Sequence, residues 1–206
     1  MAQIHRMKEV QRKEFYLFSP FLRIFHWIMV VMILVLFGTG IIIATPLQSM
    51  NLEPAYSTTY VDLVRDIHFV AAFVFCASFV LRIYGFIINR GDRLFPRFWK
   101  GYFYAQTLDV IKHYMLVQPN HASFLRNPLA RMSYLMLYGL VAIEICTGFA
   151  MYYMTEPATY IAQAFAWVNV VCGNEMVTHL VHHYAAWAII LFAIGHLYMV
   201  IRSEFM

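Results

Sequence analysis

The chain has 206 residues, of which 62% are hydrophobic, 17% aromatic and only 13% charged. Soluble domains carry about half apolar and about a quarter charged residues, so this composition excludes a water-soluble fold and predicts an integral membrane protein. The net charge of +4 does not point to nucleic acid, because its placement along the chain has a topological explanation. The three cysteines, Cys76, Cys146 and Cys172, stand singly in apolar surroundings without C-x-x-C or C-x-x-C-H spacing. They support neither a disulfide framework nor covalent haem attachment.

Residues 1–17 are polar and basic (Arg6, Lys8, Arg12, Lys13) and lack a small-residue cleavage site, so the first apolar run is expected to be a permanent span and not a cleaved signal. Four runs, 20–43, 66–89, 128–154 and 179–202, are each near the roughly 20 residues that cross a bilayer. Uninterrupted apolar runs of this length predict helices, since lipid admits only helices and closed barrels. The expected fold class is an all-α membrane protein, a four-transmembrane-helix bundle forming a single domain over 1–206.

Of the connections, 46–65 is polar and Tyr-rich. Segment 90–127 contains 103–117 (FYAQTLDVIKHYMLV), which reads as an amphipathic helix lying at the membrane surface. Segment 155–178 contains 158–171 (ATYIAQAFAWVNVV), too short to span and expected at the outer interface, with a turn at Cys172-Gly173-Asn174.

Orientation follows from the basic residues. With a cytoplasmic N-terminus, the inner side collects Arg6, Lys8, Arg12, Lys13, Arg23, Arg82, Arg90, Arg93, Arg97, Lys100, Lys112, Arg126, Arg131 and Arg202. Only Arg65 of the fifteen Lys and Arg residues is left outside. This is a positive-inside pattern, and it predicts that both termini are cytoplasmic.

The helices pair into a weak internal repeat. His68-x-x-Ala71-Ala72 followed by Arg82-x-Tyr84 matches His182-x-x-Ala185-Ala186 followed by His196-x-Tyr198, and Thr39-Gly40 lies thirteen after His26 as Thr147-Gly148 lies thirteen after Tyr134. Duplication and shared packing demands both produce such a pattern.

Nine histidines occur, and His26, His68, His179, His182, His183 and His196 lie in or at the ends of spans. Intramembrane ionisable groups read as functional by default; the alternative is an imidazole bonded to a neighbouring carbonyl. His182 and His196 are fourteen positions apart on one run, which places both rings on one helix face about 21 Å apart. Under the topology above, His26 and His196 share the inner level, and His68 and His182 share the outer one. Two imidazoles from facing helices are the ligand set of a low-spin b haem, with no position open for oxygen chemistry. Two stacked haems are therefore expected, with metal ligands His26 and His196 (inner) and His68 and His182 (outer). Zinc would need three or four ligands at one depth.

His179 and His183 compete with His182; the fourteen-residue spacing and the repeat favour His182. His5, His113 and His121 fall in soluble segments and are expected to be solvated. Gly38, Gly40, Gly139, Gly148 and the alanine pairs suit either a flat macrocycle or ordinary helix contact. Arg23 and Arg82 are candidates for pairing with haem propionates or for snorkelling to the interface. Glu144 is an acid near the middle of the third run and has no role at this level.

These residues resemble the b-type cytochrome subunit of membrane-bound nickel-iron hydrogenases. The resemblance covers nearly the whole chain: Arg23-Ile-Phe-His26-Trp27, Arg65-Asp-Ile-His68-Phe69, Asn127-Pro128-Leu-Ala130, Thr147-Gly148-Phe149, Gly173-Asn174-Glu-Met176 and Gly195-His196-Leu-Tyr198-Met-Val-Ile-Arg202. The His-Trp start and four-histidine layout are shared with a wider di-haem cytochrome b superfamily, including formate dehydrogenase subunits. Glu144 and the ending at Met206 depart from the family pattern.

The resemblance implies a conduit in the bacterial inner membrane, carrying electrons from the iron-sulfur clusters of a hydrogenase small subunit, partnered by a large subunit, through outer and inner haems to a quinone. It places the quinone near the inner haem, with His196 and Asn127 as candidate contacts. A formate dehydrogenase subunit, a stand-alone di-haem quinol oxidoreductase, and a haem-free anchor or transporter are the alternatives.

Overall fold

The computed structural model describes residues 20–45, 59–88, 101–117 and 128–204, and these are helices or short turns between helices. In chain order they are α1 (Pro20–Ala44), α2 (Thr59–Ile88), α3 (Gly101–Tyr114), α4 (Pro128–Tyr152) with a 3-10 turn at Tyr153–Thr155, α5 (Tyr160–Cys172) and α6 (Glu175–Glu204). Four of these, α1, α2, α4 and α6, are long and apolar enough to cross a membrane. The chain divides into two compact units, 1–88 and 89–206.

In the first unit α1 packs against α2. Ala71, Phe75, Ser78 and Phe79 are buried on α2, a spacing of i, i+4, i+7 and i+8 that forms one stripe of a helix. The Ser78 hydroxyl donates to Val74 O at 2.8 Å, so its polarity is satisfied within the helix. Away from this stripe Leu34, Val70 and Val80 are more than half exposed. Such an apolar surface is a liability in water and ordinary against lipid.

In the second unit α4 packs against α6, α5 and α3, and Val141, Thr147, Ala150, Val168, Ala185 and Ile189 are buried. Helix α5 starts at a Thr159 cap, whose Oγ1 accepts from Ala162 N at 3.2 Å, and stops at Gly173, whose φ is +98°. Asn174 Oδ1 then caps α6 by accepting from Val177 N at 2.9 Å. The fully buried Thr178 hydroxyl donates to Asn169 Oδ1 at 2.7 Å, joining α5 to α6. The turn expected at Cys172-Gly173-Asn174 is thus made by a positive-φ glycine and an asparagine cap.

Helices α2 and α6 begin at Thr59 and Glu175, seven and four residues before the apolar runs at 66 and 179. Asp62 and Glu175 lie in their first turns, where acids favour a helix N-terminus; hydropathy marks the hydrocarbon, whereas backbone hydrogen bonds continue beyond it. His113, expected to be solvated, is only 4% exposed. It shares a buried face with Phe103 and Val110 because α3 packs against α4. The Tyr198 hydroxyl of α6 donates to Tyr114 O at 3.0 Å at the end of the same helix.

Helix α3 stops at Tyr114, short of the expected 117. Val117 N bonds Lys112 O at 2.9 Å and Leu116 N bonds His113 O at 3.1 Å, the paired bonds of a Schellman turn. Its left-handed position is filled by Leu116 at φ +64°, a conformation that costs about 1 kcal/mol or more in any residue with a Cβ. Leu116 is exposed, so Leu116→Gly is expected to raise stability by up to about 1 kcal/mol. Gly173→Ala is expected to lower it by about 1–3 kcal/mol, both read from unfolding in detergent.

Candidate functional site

The two units carry the same side-chain arrangement. On α1 the Thr39 hydroxyl lies 2.7 Å from Val35 O and 3.2 Å from Leu36 O, and its oxygen is 2.8 Å from His68 Nδ1 on α2. On α4 the Thr147 hydroxyl lies 2.7 Å from Ile143 O and 3.3 Å from Glu144 O, and its oxygen is 2.9 Å from His182 Nδ1 on α6. A threonine within a helix donates to the carbonyl one turn back. Its single proton is then committed, so Oγ1 can only accept from the imidazole. Each ring is thereby held with its proton on Nδ1 and its lone pair on Nε2, the tautomer in which Nε2 can donate to a metal.

The glycine after each threonine lies beneath the same ring. A Cβ at Gly40 would meet His68 Cε1 at 3.6 Å, and one at Gly148 would meet His182 Cε1 at 3.4 Å. The imidazoles therefore rest against helix backbone. The weak repeat in the sequence corresponds to a repeated contact, and Thr39 and Thr147, conspicuous in the sequence only for their spacing, position the rings.

Levels within each unit follow from these contacts. Thr39 lies beside His68 and thirteen residues along α1 from His26, so His26 and His68 differ in level by about 20 Å at 1.5 Å per residue. His182 and His196 differ by about 21 Å along α6 by the same rise. His26 is exposed, with the Trp27 ring edge-on at 5.6 Å and 82°. His196 is half-buried and stacks parallel to Phe192 at 6.0 Å and 9°. Arg23 is exposed one turn from His26, and half-buried Arg82 lies fourteen residues after His68. Asn127 lies outside the described residues.

The neighbours of His182 separate from it. His179 is exposed. His183 Nε2 accepts from Trp187 Nε1 at 3.2 Å, so its outer lone pair is already used along its own helix. Glu144, without a role in the sequence, places Oε2 2.9 Å from His182 Nδ1. Among the described residues no group of three or more His, Cys, Asp or Glu is arranged to hold a metal ion.

One such imidazole in each of two helix pairs, on helices apolar enough to cross a membrane, is chemically suited to hold a metal group through Nε2. The chain matches the family described as prokaryotic cytochrome b561 over residues 17–206, and it belongs to that family. It is 32% identical over 201 residues, covering 93% of this chain and 84% of the relative, to a protein of Escherichia coli K12 named "Probable Ni/Fe-hydrogenase 1 B-type cytochrome subunit". It is 30% identical to a protein of Rhizobium leguminosarum bv. viciae named "Probable Ni/Fe-hydrogenase B-type cytochrome subunit", covering 100% of this chain and 88% of the relative. The counterpart of that name in Rhodobacter capsulatus is 28% identical, with coverage of 95% and 77%. A b-type haem is the group such a family implies, and the donors fit it: neutral imidazoles with the proton on Nδ1 and the lone pair on Nε2 are what haem iron takes from histidine.

Replacing either threonine by valine keeps the shape and removes the acceptor. Thr39→Val and Thr147→Val are each expected to cost about 1–3 kcal/mol, and the serine variants to recover most of it, as measured by thermal unfolding in detergent.

Proposed function

We propose that this chain is the membrane-anchoring di-haem cytochrome b subunit of a nickel-iron uptake hydrogenase, passing electrons from iron-sulfur clusters of the hydrogenase small subunit to a membrane quinone. The observation that carries the reading is the twofold Thr–His contact. Each unit holds one imidazole in the metal-binding tautomer, about 20 Å in level from a second histidine. The names of the relatives supply the hydrogenase partners.

Four histidines serve as ligands. The pairing is the one that sequence depth sets: His68 with His182 for the outer haem, and His26 with His196 for the inner one. When bound, each haem cycles its iron between ferric and ferrous by one electron. The protein holds the rings: Thr39 and Thr147 fix His68 and His182, and Phe192 lies flat against His196. Arg23 and Arg82 are placed to pair with propionates, and Asn127 and His196 to contact the quinone. His183, whose Nε2 is engaged by Trp187, is not a ligand.

The distribution of basic residues favours cytoplasmic termini, and the bacterial inner membrane is the location the resemblance implies. Electrons then enter at the His182 end of α6 and leave toward quinone at the His196 end. The whole chain acts as one cytochrome b domain within that complex.

Purification in mild detergent tests this directly. The expected preparation contains the hydrogenase large and small subunits and two haems per chain by pyridine haemochrome assay. A molybdenum-containing formate dehydrogenase as partner would overturn the hydrogenase assignment, and haem well below two per chain would overturn the cytochrome. His68→Ala and His182→Ala are each expected to lose the same haem and keep the other, and His183→Ala to keep both.

A further inference from the structure

The two Thr–His contacts are alike except at one position. Three residues before the threonine, α1 carries Leu36 and α4 carries Glu144. The leucine side chain offers nothing to an imidazole. The glutamate places Oε2 2.9 Å from His182 Nδ1, with its side chain only 13% exposed. Its other oxygen, Oε1, is buried with no hydrogen-bond partner among the described residues. A carboxylate in a membrane helix with one oxygen unsatisfied is costly, and the first unit builds the same helix pair with a leucine at that place. Packing therefore does not call for the acid.

We propose that Glu144 is a positioning residue that lowers the reduction potential of the haem held by His182, which rests on the ligation proposed above. The Nδ1–H of His182 faces Thr147 Oγ1 and Glu144 Oε2 at the same distance, 2.9 Å. A carboxylate drawing on that proton shifts electron density through the ring to Nε2 and makes it a stronger donor. A stronger donor stabilises ferric over ferrous iron, and hydrogen bonding to an axial ligand is one of the protein's levers on haem potential. The negative charge acts in the same direction, since it offsets the extra positive charge of ferric haem in a medium of low dielectric. The neutral Thr39 hydroxyl at His68 supplies the orienting contact without the charge. The His68 and His182 imidazoles would therefore offer iron unequal donor strength.

The test is a redox titration of the full-length cytochrome in detergent, followed by the b-type optical bands. Glu144→Gln keeps the shape and removes the charge; Glu144→Leu installs the residue that the first unit already accommodates. Both variants are expected to hold two haems and to shift one of them at least tenfold toward ferrous at a given potential, a rise of about 59 mV for one electron. The other haem stays in place, and the leucine variant shifts further than the glutamine one. Two haems at unchanged potentials in both variants would overturn the inference while leaving the ligation intact. An equal shift of both haems, or loss of haem from both variants, would overturn it too, assigning Glu144 to the general field or to assembly. If His182→Ala retains both haems, the ligation itself falls, and the inference with it.

Discussion

The structure depends on where one hydroxyl proton goes. In a membrane helix a threonine has no water to turn to, so its O–H donates to the carbonyl one turn back, as Thr39 and Thr147 do at 2.7 Å. That commitment leaves the oxygen as an acceptor and decides the tautomer of the histidine opposite it. An imidazole free to choose would present either nitrogen as a ligand. These two present Nε2 because the helix backbone has already settled the other end of the ring.

Because the device requires only a Thr-Gly step on one helix and a histidine on its antiparallel neighbour, it can be built twice. The first unit uses α1 and α2, the second α4 and α6, with the ring lying over Gly40 in one and Gly148 in the other. The repetition extends to the buried small residue one turn on, Ala71 and Ala185. What differs is the surrounding: the second unit adds α3 and α5, and it puts a carboxylate beside its imidazole where the first has a leucine. Equal geometry with unequal electrostatics lets the two imidazoles differ in donor strength without a change of fold.

Sequence patterns led directly to the membrane class, the four long helices, the short helix α5 and the turn at Gly173, since each is a matter of local hydropathy or backbone preference. They also singled out His68 and His182, because the repeat is a one-dimensional regularity. Helix ends were less legible: α2 starts at Thr59 and α6 at Glu175, since charged residues such as Asp62 and Arg65 continue a helix past the apolar run without any hydropathic signal. His113 looked solvated, because a helix read by itself does not reveal that a second helix covers one of its faces.

By itself, then, the sequence determined that the chain is a helical membrane protein resembling the b-type cytochrome subunits of nickel-iron hydrogenases, and which histidines recur at matched spacing. Composition, period and motif are properties of neighbours along the chain. Only the tertiary structure decided that Thr39 and Thr147 hold the rings, that Trp187 occupies His183, and that Glu144 reaches His182. The first and last of these join residues 29 to 38 positions apart, and contacts across antiparallel helices leave no periodic trace in either helix alone. The Trp187 contact runs along α6 itself and was hidden for another reason: it depends on ring orientations that spacing does not specify.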